Sequence, residues 1–130
     1  MDSTKIRQFR AEQSFEKLQL SKKFFSKGEY TNSLIQAFLS IFYAVRILLL
    51  EDGVDSDNFD KIIELSKRYY EPAGWGSIDI SALLQEGHSI RSEIESASAP
   101  EIDQSEALKF IDSAEKLYKE IVIANSTAKR

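Results

Sequence analysis

Five stretches of helical periodicity, separated by short polar breaks, account for most of the chain. In the first, from about Ser3 to Lys27, Ala11, Phe15, Leu18 and Phe25 recur at helical spacing among Lys and Glu. Gly28 ends it, as the residue that tolerates a left-handed backbone just past a helix. Lys22, Lys23 and Lys27 lie near this end, where cations suit the helix dipole. The second stretch follows Glu29-Tyr30, with Thr31 or Asn32 as the expected N-cap. Leu34, Ile35, Phe38, Ile41, Phe42, Val45, Leu48 and Leu49 mark one broad face, which Ala37, Ala44 and Ile47 widen. A helix apolar over most of its circumference belongs in the middle of a bundle. The connection between the two is short, which predicts an antiparallel hairpin.

After Glu51-Asp52-Gly53, the run Asp55-Ser56-Asp57-Asn58 offers several caps for a third helix, Phe59 to about Tyr70, with Ile62, Ile63 and Tyr69 or Tyr70 expected to face inward. Glu71-Pro72-Ala73-Gly74-Trp75-Gly76 reads as a loop. A fourth helix covers about Ile80 to Ala97, with Ile80, Leu83, Leu84, Ile90 and Ile94 as its apolar positions. The fifth has the clearest signal. Asp103-Gln104-Ser105-Glu106 fits the carboxylate form of the capping box, and Ala107, Phe110, Ile111, Ala114, Leu117, Tyr118 and Ile121 form a full ladder. Residues 125–130 are expected to fray. The predicted architecture is all-α: a single domain over residues 1–130, an antiparallel up-and-down bundle of four to five helices. Phe38, Ile41, Phe42, Val45, Phe110, Ala114 and Leu117 are expected in one core.

Composition agrees with a globular helical domain. The 130 residues are 42% hydrophobic and 29% charged, with only 5 Gly and 2 Pro to break helices. With no cysteine, disulfides and thiolate metal sites are excluded and a cytoplasmic location is expected. The polar start, Met1 to Lys5, lacks the apolar region of a signal peptide, and the Leu34–Leu50 run is interrupted by Gln36, Ser40 and Arg46, so no membrane association is expected. Net charge is −4. Binding through nucleic-acid phosphates favours a basic face, so this partner is not the preferred one.

Chemistry-bearing motifs are few. There is no phosphate-binding Gly-rich loop and no HExxH, and a single His cannot build a typical zinc site. No metal or cofactor is expected. Glu93 and Glu95 flank Ile94 and point apart on a helix, as a solvated face would. His88 carries the one imidazole of the chain, a side chain suited to acid/base work, and Arg91, three residues on, projects from the same side. Such a pair could act as acid/base and phosphate clamp, or rest as a half-buried His beside an Arg91–Glu95 ion pair. Arg46, within the apolar second helix, must find a partner or snorkel to the edge, and is a candidate ligand-binding residue. Tyr69, Tyr70 and Trp75 gather around the Pro/Gly loop as a stacking platform, an interface anchor or a loop folded onto the core.

The order of segments resembles the HEPN superfamily (higher eukaryotes and prokaryotes nucleotide-binding domains). The similarity is carried by Phe25-Ser26-Lys27-Gly28-Glu29-Tyr30, by the stretch from Ala37 through Tyr43-Ala44 and Leu48-Leu49 to Gly53, by Ile90-Arg91-Ser92-Glu93-Ile94-Glu95, and by the closing helix from Glu106 to Tyr118 with Ala114-Glu115-Lys116-Leu117-Tyr118. The resemblance implies a four- or five-helix bundle that forms a homodimer. It also implies kinship with metal-independent ribonucleases, often toxins paired with a nucleotidyltransferase-fold antitoxin. Their activity depends on an Arg and a His with four to six residues between them. Arg91 matches the Arg, but Ser96, Ala97 and Ser98 fill the His positions, and His88 lies on the other side.

The expectation is therefore a non-catalytic HEPN-like binding or interaction protein, taking a nucleotide or a partner protein. The alternative is a diverged ribonuclease using Arg91 with His88. The Gly-x-Tyr turn after the first helix also resembles, more weakly, a tetratricopeptide-like structural adaptor, although no second copy at a fixed period follows.

Overall fold

The computed structural model describes residues 3–70, 79–96 and 101–124. They form α1 (Ser3–Ser26), α2 (Tyr30–Glu51), α3 (Phe59–Tyr70), α4 (Ile80–Glu95) and α5 (Gln104–Leu117), and α5 runs on into a π-helical segment, Tyr118–Ala124. No strand occurs among the described residues, and the chain is an all-helical bundle. Residues 125–130, expected to fray, lie outside the described residues.

Local chemistry sets most helix ends. Gly28 and Gly53 take positive φ (76° and 75°). At each, the glycine N–H and the next N–H reach back to the last turn: Gly28 to Phe25 and Glu29 to Phe24, both at 3.0 Å, then Gly53 to Leu50 and Val54 to Leu49, again at 3.0 Å. This double bond is the Schellman arrangement, which satisfies carbonyls that a helix end would otherwise leave open. Asp79 and Asp103 cap α4 and α5 by accepting from Ala82 N–H (3.1 Å) and Glu106 N–H (2.9 Å), and Asn58 accepts from Lys61 N–H at 3.0 Å ahead of α3. The cap of α2 departs from expectation. Glu29, not Thr31 or Asn32, is its N-cap, and no side chain bonds the free N–H groups there. The tight turn at Gly28 brings the chain into helical geometry earlier than cap preference alone suggests.

α2 is the central element. It packs against the other four helices and the π-helical segment, and buries Leu34, Phe38, Ile41, Val45, Ile47 and Leu49 almost completely. By length and composition α2 could cross a membrane, and 67% of its most apolar window is buried inside the bundle. Phe38, Ile41, Phe42, Val45, Phe110, Ala114 and Leu117 all join one core cluster, as the periodicity predicts.

The inner face of α1 differs from the apolar one expected. Leu18 is buried, but Phe15 is 48% exposed and touches Tyr118 at 5.7 Å between ring centroids. The residues buried beside Leu18 are Arg10, Ser14 and Ser21. Ser14 donates to the Ser40 carbonyl (3.0 Å) while Ser40 donates to the Ser14 carbonyl (2.7 Å). Ser21 and Ser33 repeat the exchange at 2.6 and 2.8 Å. Small side chains allow the two backbones to approach closely, and the hydroxyls satisfy themselves on backbone carbonyls across the interface. The pairing order, Ser14 with Ser40 and Ser21 with Ser33, makes α1 and α2 the predicted antiparallel hairpin.

Candidate functional site

Phe59 opens α3 one residue after its Asn58 cap, and its ring is the meeting point of two neighbouring helices. It packs on Phe42 at 4.4 Å and on Phe38 at 5.7 Å, both from α2. From α4, His88 stacks on the same ring at 5.3 Å with 17° between planes, and the Arg91 guanidinium carbon lies 5.1 Å from its centroid. The two reach one ring because residues three apart share a helix face. His88 Nε2 stands 3.3 Å from Asp60 Oδ1, and Arg91 Nε stands 3.8 Å from Glu95 Oε1. A guanidinium over an exposed ring contributes about 0.5–1 kcal/mol, and an i, i+4 ion pair about 0.3–0.5 kcal/mol. Both side chains are thus held in place while remaining partly open to solvent, 26% for His88 and 34% for Arg91.

Arg46 finds the partner its apolar helix demands. Its Nη2 lies 3.3 Å from Asp55 Oδ1, and its guanidinium carbon lies 5.5 Å from the Phe42 centroid. Asp55 also accepts from Arg10 Nη2 at 2.7 Å, and Arg10 Nη1 donates to the Arg46 carbonyl at 3.3 Å. One carboxylate therefore serves two guanidinium groups, one of them, Arg10, buried. Burial pushes the Asp55 carboxyl up, but the Arg10 hydrogen bond and the charges of Arg10 and Arg46 outweigh it and hold the group below its ordinary range. Arg46 Nε is buried and makes no hydrogen bond among the described residues.

Arg46, His88 and Arg91 are thus strung along one aromatic row: Arg46 on Phe42, Phe42 on Phe59, and Phe59 against His88 and Arg91. The basic residues do not all converge there, since Arg68 pairs with Glu64 at 3.0 Å on the exposed side of α3. Tyr69 and Tyr70 close α3 and are described as helical backbone only, while Trp75 lies outside the described residues. Of the positions where the ribonuclease pattern wants its His, Ser96 caps the end of α4, and Ala97 and Ser98 lie outside the described residues. Glu93 and Glu95 are exposed, and among the described residues no three His, Asp or Glu gather as metal ligands.

Phe59, Asp55 and Arg10 are the participants that sequence reading missed. Asp55 was one acid among several cap candidates, and nothing local distinguishes the one that two arginines claim from 9 and 45 residues away. These contacts make the molecule a helical bundle with a row of aromatic rings edged by cations. No protein-family model matches the chain, and a comparison with curated proteins gives no match.

Proposed function

We propose that the chain is a non-catalytic, HEPN-like binding protein, an antiparallel up-and-down bundle that works as a homodimer and takes a nucleotide or a partner protein. The observation that carries this reading is the engagement of both candidate catalytic groups by neighbours. His88 is stacked on Phe59 beside Asp60, and Arg91 lies over the same ring beside Glu95. Removing a 2′-hydroxyl proton needs a base poised near operating pH and within hydrogen-bond reach of it. Ser96, Ala97 and Ser98 supply none, and His88 is set back along α4 by three residues, about 4.5 Å at a helical rise of 1.5 Å per residue.

The experiment is cleavage of a mixed single-stranded RNA pool by the wild type, Arg91→Ala and His88→Ala. The expected result is no cleavage above background by any of the three. Sedimentation at micromolar concentration tests the dimer, and a purely monomeric species would sink that part. A nucleotidyltransferase-fold protein is the partner that the family resemblance suggests, and co-purification with such a protein would test it.

A second reading, a diverged ribonuclease using Arg91 with His88, draws support from one observation: the two side chains share a ring and face solvent together. Cleavage by the wild type that both substitutions abolish would establish it in place of the first.

A further inference from the structure

A separate feature lies on the other side of Arg46. α1 and α2 enclose an open cleft of about 620 Å³, lined by Lys5, Ile6, Phe9, Arg10, Tyr43 and Arg46. This volume is within the ordinary range for small-molecule sites, roughly 300–1,000 Å³. Its walls follow from helix spacing: Lys5, Ile6, Phe9 and Arg10 share one face of α1, and Tyr43 and Arg46 lie three apart on α2.

The chemistry of the walls is one-sided. Among the described residues three cations line the cleft and no acid does. The carboxylate bonded to these cations is Asp55, which is shared between Arg10 and Arg46, so one negative charge answers two positive ones. Lys5 makes no ion pair with another described residue. The first turn of α1, where Lys5 and Ile6 sit, carries no acidic side chain against the positive end of its dipole. All this occurs in a protein whose net charge is −4, so the positive cleft is a local arrangement and not the background of a basic chain.

Two observations point to a ligand. Arg46 borders the cleft with a buried Nε that has no hydrogen-bond partner among the described residues, a state native interiors rarely keep. Phe9, on the opposite wall, leaves 56% of its surface exposed although it stands beside Tyr43 and Ile6, which could share in covering a flat apolar group. Each wall therefore presents both a cation and an aromatic ring, Arg10 with Phe9 from α1 and Arg46 with Tyr43 from α2, which is complementary to a molecule that carries an anionic group on a planar ring.

We infer that the cleft between α1 and α2 binds a small aromatic acid, a planar ring bearing one carboxylate or phosphate group. The anionic group lies against Arg46 and Lys5, giving the Arg46 guanidinium the acceptor its Nε lacks, and the ring lies between Phe9 and Tyr43. Asp55 stays bonded to Arg10 and so keeps that buried guanidinium neutralised while Arg46 turns toward the ligand. This site is distinct from the Phe59 cluster and does not rest on its role.

The test is a titration of the full chain with benzoate and with phenyl phosphate, followed by the ring resonances of Phe9 and Tyr43 in NMR spectra. Benzyl alcohol is the uncharged control and inorganic phosphate the ringless one. Saturable shifts with either aromatic acid, weaker by about tenfold or more for both controls, support the site, and the acid that binds tighter identifies the anionic group. Arg46→Gln and Phe9→Ala each weaken binding by about tenfold and the surface change Lys5→Gln by about threefold, whereas Lys119→Gln, at an exposed cation outside the cleft, leaves it unchanged. Lys5 is exposed and pairs with no other described residue, so an effect of Lys5→Gln separates ligand binding from loss of folding. The inference is overturned by absence of saturation at tens of millimolar ligand, by benzyl alcohol or inorganic phosphate binding as well as the acids, or by unaltered affinity in Arg46→Gln and Lys5→Gln together.

Discussion

Gly87 of α4 lies flat against the side chain of Phe38 on α2: a Cβ added to the glycine would come within 2.7 Å of Phe38 Cγ and overlap Cδ1. The glycine is therefore what lets α4 settle onto the central helix. In an exposed helix interior, Gly→Ala gains about 1 kcal/mol of propensity. Here Phe38 is buried and backed by Phe59 at 5.7 Å, so its ring has little room to swing away. Overpacking costs about 1–3 kcal/mol and reverses the sign. Gly87→Ala is expected to lower the urea midpoint of unfolding, and an unchanged or higher midpoint would show that the ring yields freely.

The paired serines make a second expectation. Ser40→Ala removes one of the two bonds that join Ser14 and Ser40 and should cost about 0.5–1.5 kcal/mol, the usual net worth of a hydrogen bond. Because the two hydroxyls also lie 3.2 Å apart, the double substitution Ser14→Ala/Ser40→Ala should cost less than the sum of the singles. Strict additivity in a double-mutant cycle would mean that each hydroxyl acts alone.

Asp55 links stability to acidity. Burial pushes its carboxyl up, yet the Arg10 hydrogen bond and the charges of Arg10 and Arg46 bring it below the ordinary value of 3.8. A carboxyl depressed in the folded state contributes stability that is fully present above its unfolded pKa and is lost as pH falls through the folded one. The Asp55 side chain is 40% exposed, so solvent screening keeps that contribution small. Asp55→Asn should destabilise by about 1–3 kcal/mol near neutrality, because it leaves the buried Arg10 without its counter-ion. The gap between wild type and variant should hold down to about pH 5 and narrow below about pH 4. A gap independent of pH down to about pH 3 would place the effect in packing instead of charge.

Phe42 stands at the crossing of core and site: it is 6% exposed, stacks near Phe59 and carries Arg46 over its ring. Truncation to Ala should cost about 3–5 kcal/mol. A loss within about 0.5 kcal/mol, typical of surface positions, would contradict its place in the core.

What the sequence made legible, and what it hid, divides along physical lines. The cap at Asp103, the stops at Gly28 and Gly53, and the limits of α3 are written in residues next to one another, and they can be read directly. The apolar ladder of α2 is equally plain because burial of large side chains follows helical period. α1 misled for the same reason: periodicity scores apolar bulk, whereas this helix approaches α2 through Ser14 and Ser21, whose value is their small size. Its Phe15, which shares the helical spacing of Leu18, is half-exposed. The candidates His88, Arg91 and Arg46 could be named from chemistry and spacing. That His88 and Arg91 would meet on Phe59, and that Asp55 would join Arg46 to Arg10, depends on pairings across helices that no local pattern encodes.

The two serine pairs also act as a vernier for the hairpin. Ser14 and Ser21 are seven residues apart on α1, and Ser33 and Ser40 are seven apart on α2. Two pairs of equal spacing match at both points in one alignment only: sliding α1 by a heptad leaves either Ser14 on Ser33 or Ser21 on Ser40, and strands the other two hydroxyls among apolar neighbours or at a helix end. Each buried hydroxyl left unmatched costs about 1–3 kcal/mol, so the slipped hairpin is penalised by roughly 2 kcal/mol or more, about thirty-fold in population, before any loss of apolar packing is counted. A helix pair with a broad greasy face, which by itself would accept several alignments, is indexed to one by four of its smallest polar side chains.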